Sequence, residues 1–171
     1  MKIANVGYRN FLLGLLVVLV CAAPGNAQRG GRGAGGQDQF RFRFVGPAIG
    51  NRVSAIAGIP GDASTYYAGA ASGGVWKSTD GGNNWTPIFD AQPVAAIGAL
   101  AVATSDPNTI WAGTGEAWAI RDSDVMGDGI YKSTDAGRTW TNMGLTETGR
   151  IGRVVIDPKN ADNVFVCALG R

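Results

Sequence analysis

Four carboxylates, Glu116, Asp122, Asp124 and Asp128, fall within a run of thirteen residues, and Trp118 stands among them. Cleavage of a glycosidic bond needs two carboxyl groups on one rim. One gives a proton to the leaving oxygen, and the other activates water or attacks the sugar. An indole nearby offers a flat apolar face on which a sugar ring can stack. Asp122, Asp124 and Asp128 also suggest a cation, but they do not follow the register of a calcium loop, and no metal site is expected. The bland alternative is an exposed loop whose acids are solvated and whose Trp118 fills a gap. The chain has no His, which excludes Ser–His and Cys–His nucleophilic sites and His-based metal centres within it. No cofactor is expected.

The acidic run interrupts a repeat. Ser78-Thr79-Asp80-Gly81-Gly82-Asn83-Asn84-Trp85 returns 55 residues later as Ser133-Thr134-Asp135-Ala136-Gly137-Arg138-Thr139-Trp140. Each copy follows a short apolar run, Gly74-Val75-Trp76-Lys77 in the first and Gly129-Ile130-Tyr131-Lys132 in the second. Short strand-like runs, turn residues and the repeat predict four short strands per unit. In the first unit these cover 52–57, 65–69, 74–77 and 85–88. In the second they cover 97–102, 109–113, 129–132 and 140–143. A third unit supplies strands over 151–156 and 163–168. This pattern predicts an all-β fold, a partial β-propeller of four-stranded antiparallel blades with two blades and the start of a third over residues 40–171. The second unit carries about eleven extra residues between Gly113 and Gly129, which is where the acids lie; such extra length between strands is where functional loops form. Helices are expected to be single turns at most.

A blade buries its faces only against its neighbours. The strand around Val164–Ala168 therefore calls for partners, and the remaining blades of a longer chain are the first partners expected. In the repeated turn, Asp80 and Asp135 are positioned to accept backbone N–H groups. Gly82 and Gly137 suit a positive φ, and Trp85 and Trp140 re-enter the sheet as packing anchors. Ala136 replaces Gly81 of the first copy, a harmless change if φ there is negative. One aspartate per turn is far short of a calcium shell.

Residues 1–27 read as a signal peptide, with Lys2 and Arg9 before the apolar stretch Phe11–Val20 and a small-residue cut after Ala27. The apolar run is too short for a comfortable membrane span, so export to the periplasm, outer surface or exterior is expected, with a retained anchor as the alternative. Residues 28–39 read as a flexible Gly-rich N-terminus. Phe40-Arg41-Phe42-Arg43-Phe44-Val45 alternates strictly and predicts a strand. Loss of the signal removes Lys2 and Arg9 from the 15 basic residues and leaves the 13 acidic ones, so charge is balanced. No basic stripe exists to serve nucleic acid. Only Cys167 remains in the mature part, so no internal disulfide can form.

The two turns at 78–85 and 133–140 resemble the Asp-box, or BNR, repeats of sialidases, some glycoside hydrolases and the sortilin/VPS10 receptors. The wider pattern is similar to bacterial exported proteins of the sortilin N-terminal type. It runs through Phe44-Val45-Gly46-Pro47, Gly73-Gly74-Val75-Trp76-Lys77, Gly113-Thr114-Gly115-Glu116, Gly127-Asp128-Gly129 and Ile151-Gly152-Arg153-Val154-Val155-Ile156-Asp157-Pro158. The resemblance implies a longer, many-bladed propeller in which Ser78, Asp80, Gly82, Trp85, Ser133, Asp135, Gly137 and Trp140 are structural. It implies an exported scaffold or binding module for protein, peptide or glycan. The alternative is a glycoside hydrolase of the sialidase or xyloglucanase kind, its active site completed by further blades. Sialidases gather arginines around the substrate, and no sequence rule brings Arg52, Arg121, Arg150 and Arg153 together.

Overall fold

The computed structural model describes residues 44–49, 52–117 and 125–170. The expected signal peptide, the Gly-rich stretch 28–39 and residues 40–43 of the expected strand lie outside these. So do Trp118, Asp122 and Asp124. Phe44 and Val45, the end of that expected strand, belong to no strand, because no strand pairs with them among the described residues.

The chain folds as three antiparallel sheets in sequence order. The first contains β1 (Val53–Ile59), β2 (Asp62–Ala70), β3 (Val75–Ser78) and β4 (Thr86–Pro87), hydrogen-bonded in that order. The second repeats it with β5 (Ile97–Val102), β6 (Ile110–Thr114), β7 (Ile130–Ser133) and β8 (Thr141–Asn142). β9 (Arg150–Asp157) and β10 (Asn160–Leu169) make a two-stranded third sheet. This is a partial propeller of two blades and the beginning of a third. Registers match across the repeat, Tyr67 opposite Lys77 in the first blade and Trp111 opposite Lys132 in the second. The inner strands β1, β5 and β9 stand in sequence around a depression of about 330 Å³, lined by Ser54, Gly98 and Gly152 among others. Those three residues occupy the same bulge in each inner strand, where pairing skips one position.

The core lies between blades rather than within them. Val75 and Phe89 of the first blade pack with Ile97, Ala112 and Tyr131 of the second, and Phe89 meets Tyr131 edge-on at 5.2 Å. Ala99, Trp111 and Ile130 of the second pack with Ile151 and Val154 of the third. Glycine makes this close approach possible. A Cβ on Gly69 would lie 2.5 Å from Ile97 Cγ2, and one on Gly113 would lie 2.3 Å from Ile151 Cγ2. Each blade thus offers a glycine on its second strand to an isoleucine on the next blade's first strand. On the outer side of the third sheet, Phe165 is 69% exposed and Val155 is 47% exposed.

The repeated turns close on themselves. The Ser78 hydroxyl accepts the Gly82 N–H at 2.9 Å and donates to Asp80 Oδ1 at 2.8 Å. Asp80 in turn accepts the Asn84 backbone N–H at 2.8 Å and its side-chain amide at 2.6 Å. The second turn matches. Gly137 N–H reaches Ser133 Oγ at 2.9 Å, and Thr139 gives its N–H and hydroxyl to Asp135 at 2.9 and 2.6 Å. The Asn84 backbone hydrogen bond, followed by its side-chain amide, holds the Asp80 carboxyl down to about 2. The Thr139 hydroxyl and N–H hold Asp135 well below the ordinary carboxylate range.

One expectation for these turns needs correction. Ala136 has φ of 60°, matching the 71° of Gly81, so the alanine occupies the left-handed region and carries strain there. The two indoles are also not equivalent. Trp140 is half-buried and donates its ring N–H to the Ile88 carbonyl of the first blade at 2.8 Å. Trp85, also half-buried, turns its N–H back to Gly82 O of its own hairpin at 3.0 Å.

Candidate functional site

The first blade connects its second and third strands with four residues, 71–74, and the second blade uses fifteen, 115–129. The extra length falls between the strands where the sequence placed it, and only its two ends, 115–117 and 125–129, are described. Its near end is anchored at Gly115, with φ of 77°, where a Cβ would lie 1.9 Å from the Gly149 carbonyl oxygen, so only glycine fits. Gly115 N–H donates to Ala96 O at 2.8 Å, and at the far end Gly127 N–H donates to Gly149 O at 2.8 Å. Both ends of the loop are therefore pinned to the segments that lead into β5 and β9.

Glu116 is turned inward and buried. Its two oxygens receive Nε and Nη2 of Arg52, the residue just before β1, in a bidentate fork. Arg52 is about half exposed along its side chain, and the pair borders a cavity of about 210 Å³ with Val53 and Ser54. A carboxylate gripped this way is a strut between the first blade and the second blade's insertion. Removing its partner would strand a buried charge. Both carboxylate oxygens of Glu116 are thus taken up by charge-assisted bonds to one partner.

Asp128 is only partly buried and points a carboxylate oxygen at the Tyr131 hydroxyl, which donates to it at 2.7 Å. Its backbone N–H donates to Thr114 Oγ1 at 3.0 Å, while that hydroxyl donates to Gly129 O at 2.6 Å. Thr114 and Tyr131 are both buried, so the aspartate is set on a rigid platform at the end of β6 and the start of β7. Burial, and next the hydrogen bond to Asp128, pushes the Tyr131 phenol above its usual value and keeps it a donor at neutral pH. An oriented, partly open carboxylate can act as base, nucleophile or anionic stabiliser.

Of the expected acids, then, Glu116 and Asp128 lie at the two ends of one insertion with different roles. Sequence reasoning missed Arg52 as the partner of Glu116 and Tyr131 as the partner of Asp128. Nothing in the sequence links positions 52 and 116. Tyr131 sits three residues after Asp128, but it was legible only as a strand residue. Among the described residues no cluster of three or more His, Cys, Asp or Glu side chains is placed to hold a metal ion, and no helix is long and apolar enough to cross a membrane.

No protein-family model matches the chain, and no curated protein matches it. Solved structures do. The chain is similar to an ancestral GH74 enzyme with 24% identity and a TM-score of 0.58, over 72% of this chain and 17% of that one. It also matches the GH74 enzyme of Niastella koreensis (26% identity, TM-score 0.48, 67% and 17% of the two chains). A third match is the GH74 xyloglucanase of Xanthomonas campestris (20%, 0.49, 68% and 20%). The chain thus spans about a fifth or less of the length of each. The likeness to the ancestral enzyme is a likeness of fold.

The match to the ancestral GH74 enzyme corrects the family expected from the sequence. The structures found are GH74 enzymes, and the sortilin/VPS10 assignment, with the BNR naming attached to it, is not retained. The physical reason lies in the turns. Every polar group of Ser78, Asp80, Ser133 and Asp135 described above is engaged within its own hairpin. Such a segment reports a closed hairpin and carries no contact that separates one propeller family from another.

Proposed function

We propose that these blades belong to an exported glycoside hydrolase of the GH74 kind, and that Asp128 is the reacting carboxylate they contribute. The observation that carries this reading is the fold shared with the ancestral GH74 enzyme over most of the chain. The placement of Asp128 on a buried Thr114–Tyr131 platform beside the one long insertion supports it. Hydrolysis needs a second carboxyl group across the scissile bond. Glu116 is committed to Arg52, which leaves Asp122, Asp124 or a carboxylate of a further blade to supply that group. On this reading the scaffold or binding-module expectation gives way to its enzymatic alternative, and the glycan becomes the substrate.

The test is release of reducing ends from xyloglucan, mixed-linkage glucan and cellulose by the secreted, full-length protein. Asp128→Asn is expected to lower kcat by about 10²–10⁴, the usual span for a general acid or base, with an unchanged urea midpoint. Glu116→Gln is expected to lower the urea midpoint. Absence of hydrolysis of every polysaccharide by the wild-type protein would overturn the enzymatic reading, and full activity of Asp128→Asn would overturn the role of Asp128.

A further inference from the structure

The repeat provides an internal control for Asp128. Positions 73, 76 and 87 of the first blade correspond, 55 residues on, to 128, 131 and 142 of the second. The strand registers agree: Trp76 lies opposite Ala68 and Pro87, and Tyr131 lies opposite Ala112 and Asn142. Both corners carry a glycine with positive φ, Gly74 at 70° and Gly129 at 111°. In the first blade the Trp76 ring N–H donates to the Gly73 carbonyl at 2.7 Å, so a backbone acceptor serves this corner. In the second blade the donor at the same position is the Tyr131 hydroxyl, and the acceptor is Asp128 Oδ2 at 2.7 Å. Asn142 stands where the first blade has Pro87, and its side-chain amide donates to the Asp128 carbonyl at 3.2 Å. A blade therefore closes here without a carboxylate, a phenol or a side-chain amide. The second blade has all three.

The carboxylate held this way is asymmetric. Oδ2 receives the phenol. Among the described residues Oδ1 meets only Thr114 Oγ1, at 3.4 Å, and that hydroxyl directs its proton to Gly129 O at 2.6 Å. The phenol itself is fixed. Tyr131 is buried in the core between the blades, with its ring edge-on to Phe89 at 5.2 Å. Burial, and next the bond to Asp128, raises the phenol above its usual value, so the shared proton stays on Tyr131. A half-buried aspartate without such a donor can move between staggered side-chain rotamers. A rigid donor at one oxygen selects one of them.

We infer that Tyr131 is a positioning residue that holds Asp128 by Oδ2 and leaves Oδ1 as the oxygen that faces the reaction. The inference rests on the reading of Asp128 as the reacting carboxylate. Tyr131 lies buried behind that carboxylate and acts through it alone. Orientation fixed in advance lowers the barrier of the chemical step, so its loss falls on kcat and spares KM.

Kinetics of the secreted, full-length protein on the polysaccharide it cleaves fastest test the assignment. Tyr131→Phe keeps the ring against Phe89 and removes only the hydroxyl. It is expected to lower kcat by about 10- to 100-fold, with KM within about twofold of wild type. Trp76→Phe removes the corresponding donor from the first blade and is expected to leave kcat unchanged. Tyr131→Phe added to Asp128→Asn is expected to lower kcat little further, because residues that act as one unit are strongly non-additive. Wild-type kcat in Tyr131→Phe would overturn the inference while leaving the role of Asp128 in place. So would an equal fold-loss on the Asp128→Asn background, or an equal loss from Trp76→Phe, since either marks Tyr131 as a packing residue. An inactive wild type, or full activity of Asp128→Asn, would remove the underlying reading and the inference with it.

Discussion

Gly113→Ala probes the blade interface at its tightest point. The added methyl would lie 2.3 Å from Ile151 Cγ2 and 2.8 Å from Ile151 Cβ, whereas carbon atoms in good contact sit roughly 3.5–4.0 Å apart. A rotamer change moves Cγ2 but not Cβ, which is fixed to the backbone of β9. The second and third sheets must therefore separate by a substantial fraction of an ångström, and overpacking of this kind costs roughly 1–3 kcal/mol. Ile151 is fully buried, so Ile151→Ala alone is expected to cost roughly 2–5 kcal/mol through lost burial and the cavity left behind. In the double variant the clash with Cγ2 is gone and the methyl added at position 113 enters part of that cavity, while the Cβ at position 151 stays in place. Its cost should then fall short of the sum of the singles by about 1–2 kcal/mol, within the coupling range for residues in contact. Urea unfolding followed by tryptophan fluorescence gives all four corners of the cycle. Gly69→Ala with Ile97→Ala should behave alike, since Ile97 Cγ2 lies 2.5 Å from the Cβ position at Gly69. Single-variant costs that add to within about 0.5 kcal/mol would refute the glycine–isoleucine step between blades.

Two further outcomes follow from the turns. Ala136→Gly is expected to raise stability by about 0.5–1 kcal/mol. Relief of an L-residue at φ of 60° gains roughly 1–2 kcal/mol, and the greater freedom of unfolded glycine returns roughly 0.5–1 kcal/mol. A lower urea midpoint would contradict the strain assigned there. The depressed carboxyls set an acid limit. Asp80 sits at about 2 and Asp135 lower, against an unfolded value of about 3.9. Their contribution is complete above about pH 4 and is lost as pH falls through the folded values. The urea midpoint should be flat near neutrality and drop between about pH 4 and pH 2. Asp80→Asn with Asp135→Asn should lower the plateau and flatten that drop, and an unchanged acid slope would sink the assignment.

What could be read from the sequence was whatever is decided locally. The short apolar runs in Thr65–Gly69 and Thr109–Gly113, and the Ser-Thr-Asp turn chemistry, act over a few residues, so strands, hairpins and the four-stranded unit were all legible. The site was legible only as a place, because extra length between Gly113 and Gly129 marks an insertion without saying which way its side chains turn. The Arg52–Glu116 fork joins residues 64 apart and depends on how two blades meet. The left-handed backbone at Ala136 was hidden because alanine gives no sign of positive φ. The family was misread for the opposite reason. The most conspicuous local motif spends its polar groups on its own closure and is silent about everything beyond the hairpin.

Consecutive blades pack side by side, with Trp140 reaching back across the boundary. A proton NMR experiment that assigns nuclear Overhauser contacts from the Trp140 indole N–H measures this directly. Cross-peaks to Ile88 and Phe89, about fifty residues earlier in the chain, are the predicted result. Cross-peaks confined to residues 133–142 would mean the hairpins are not stacked blade on blade, and would contradict the architecture on which the candidate site is built.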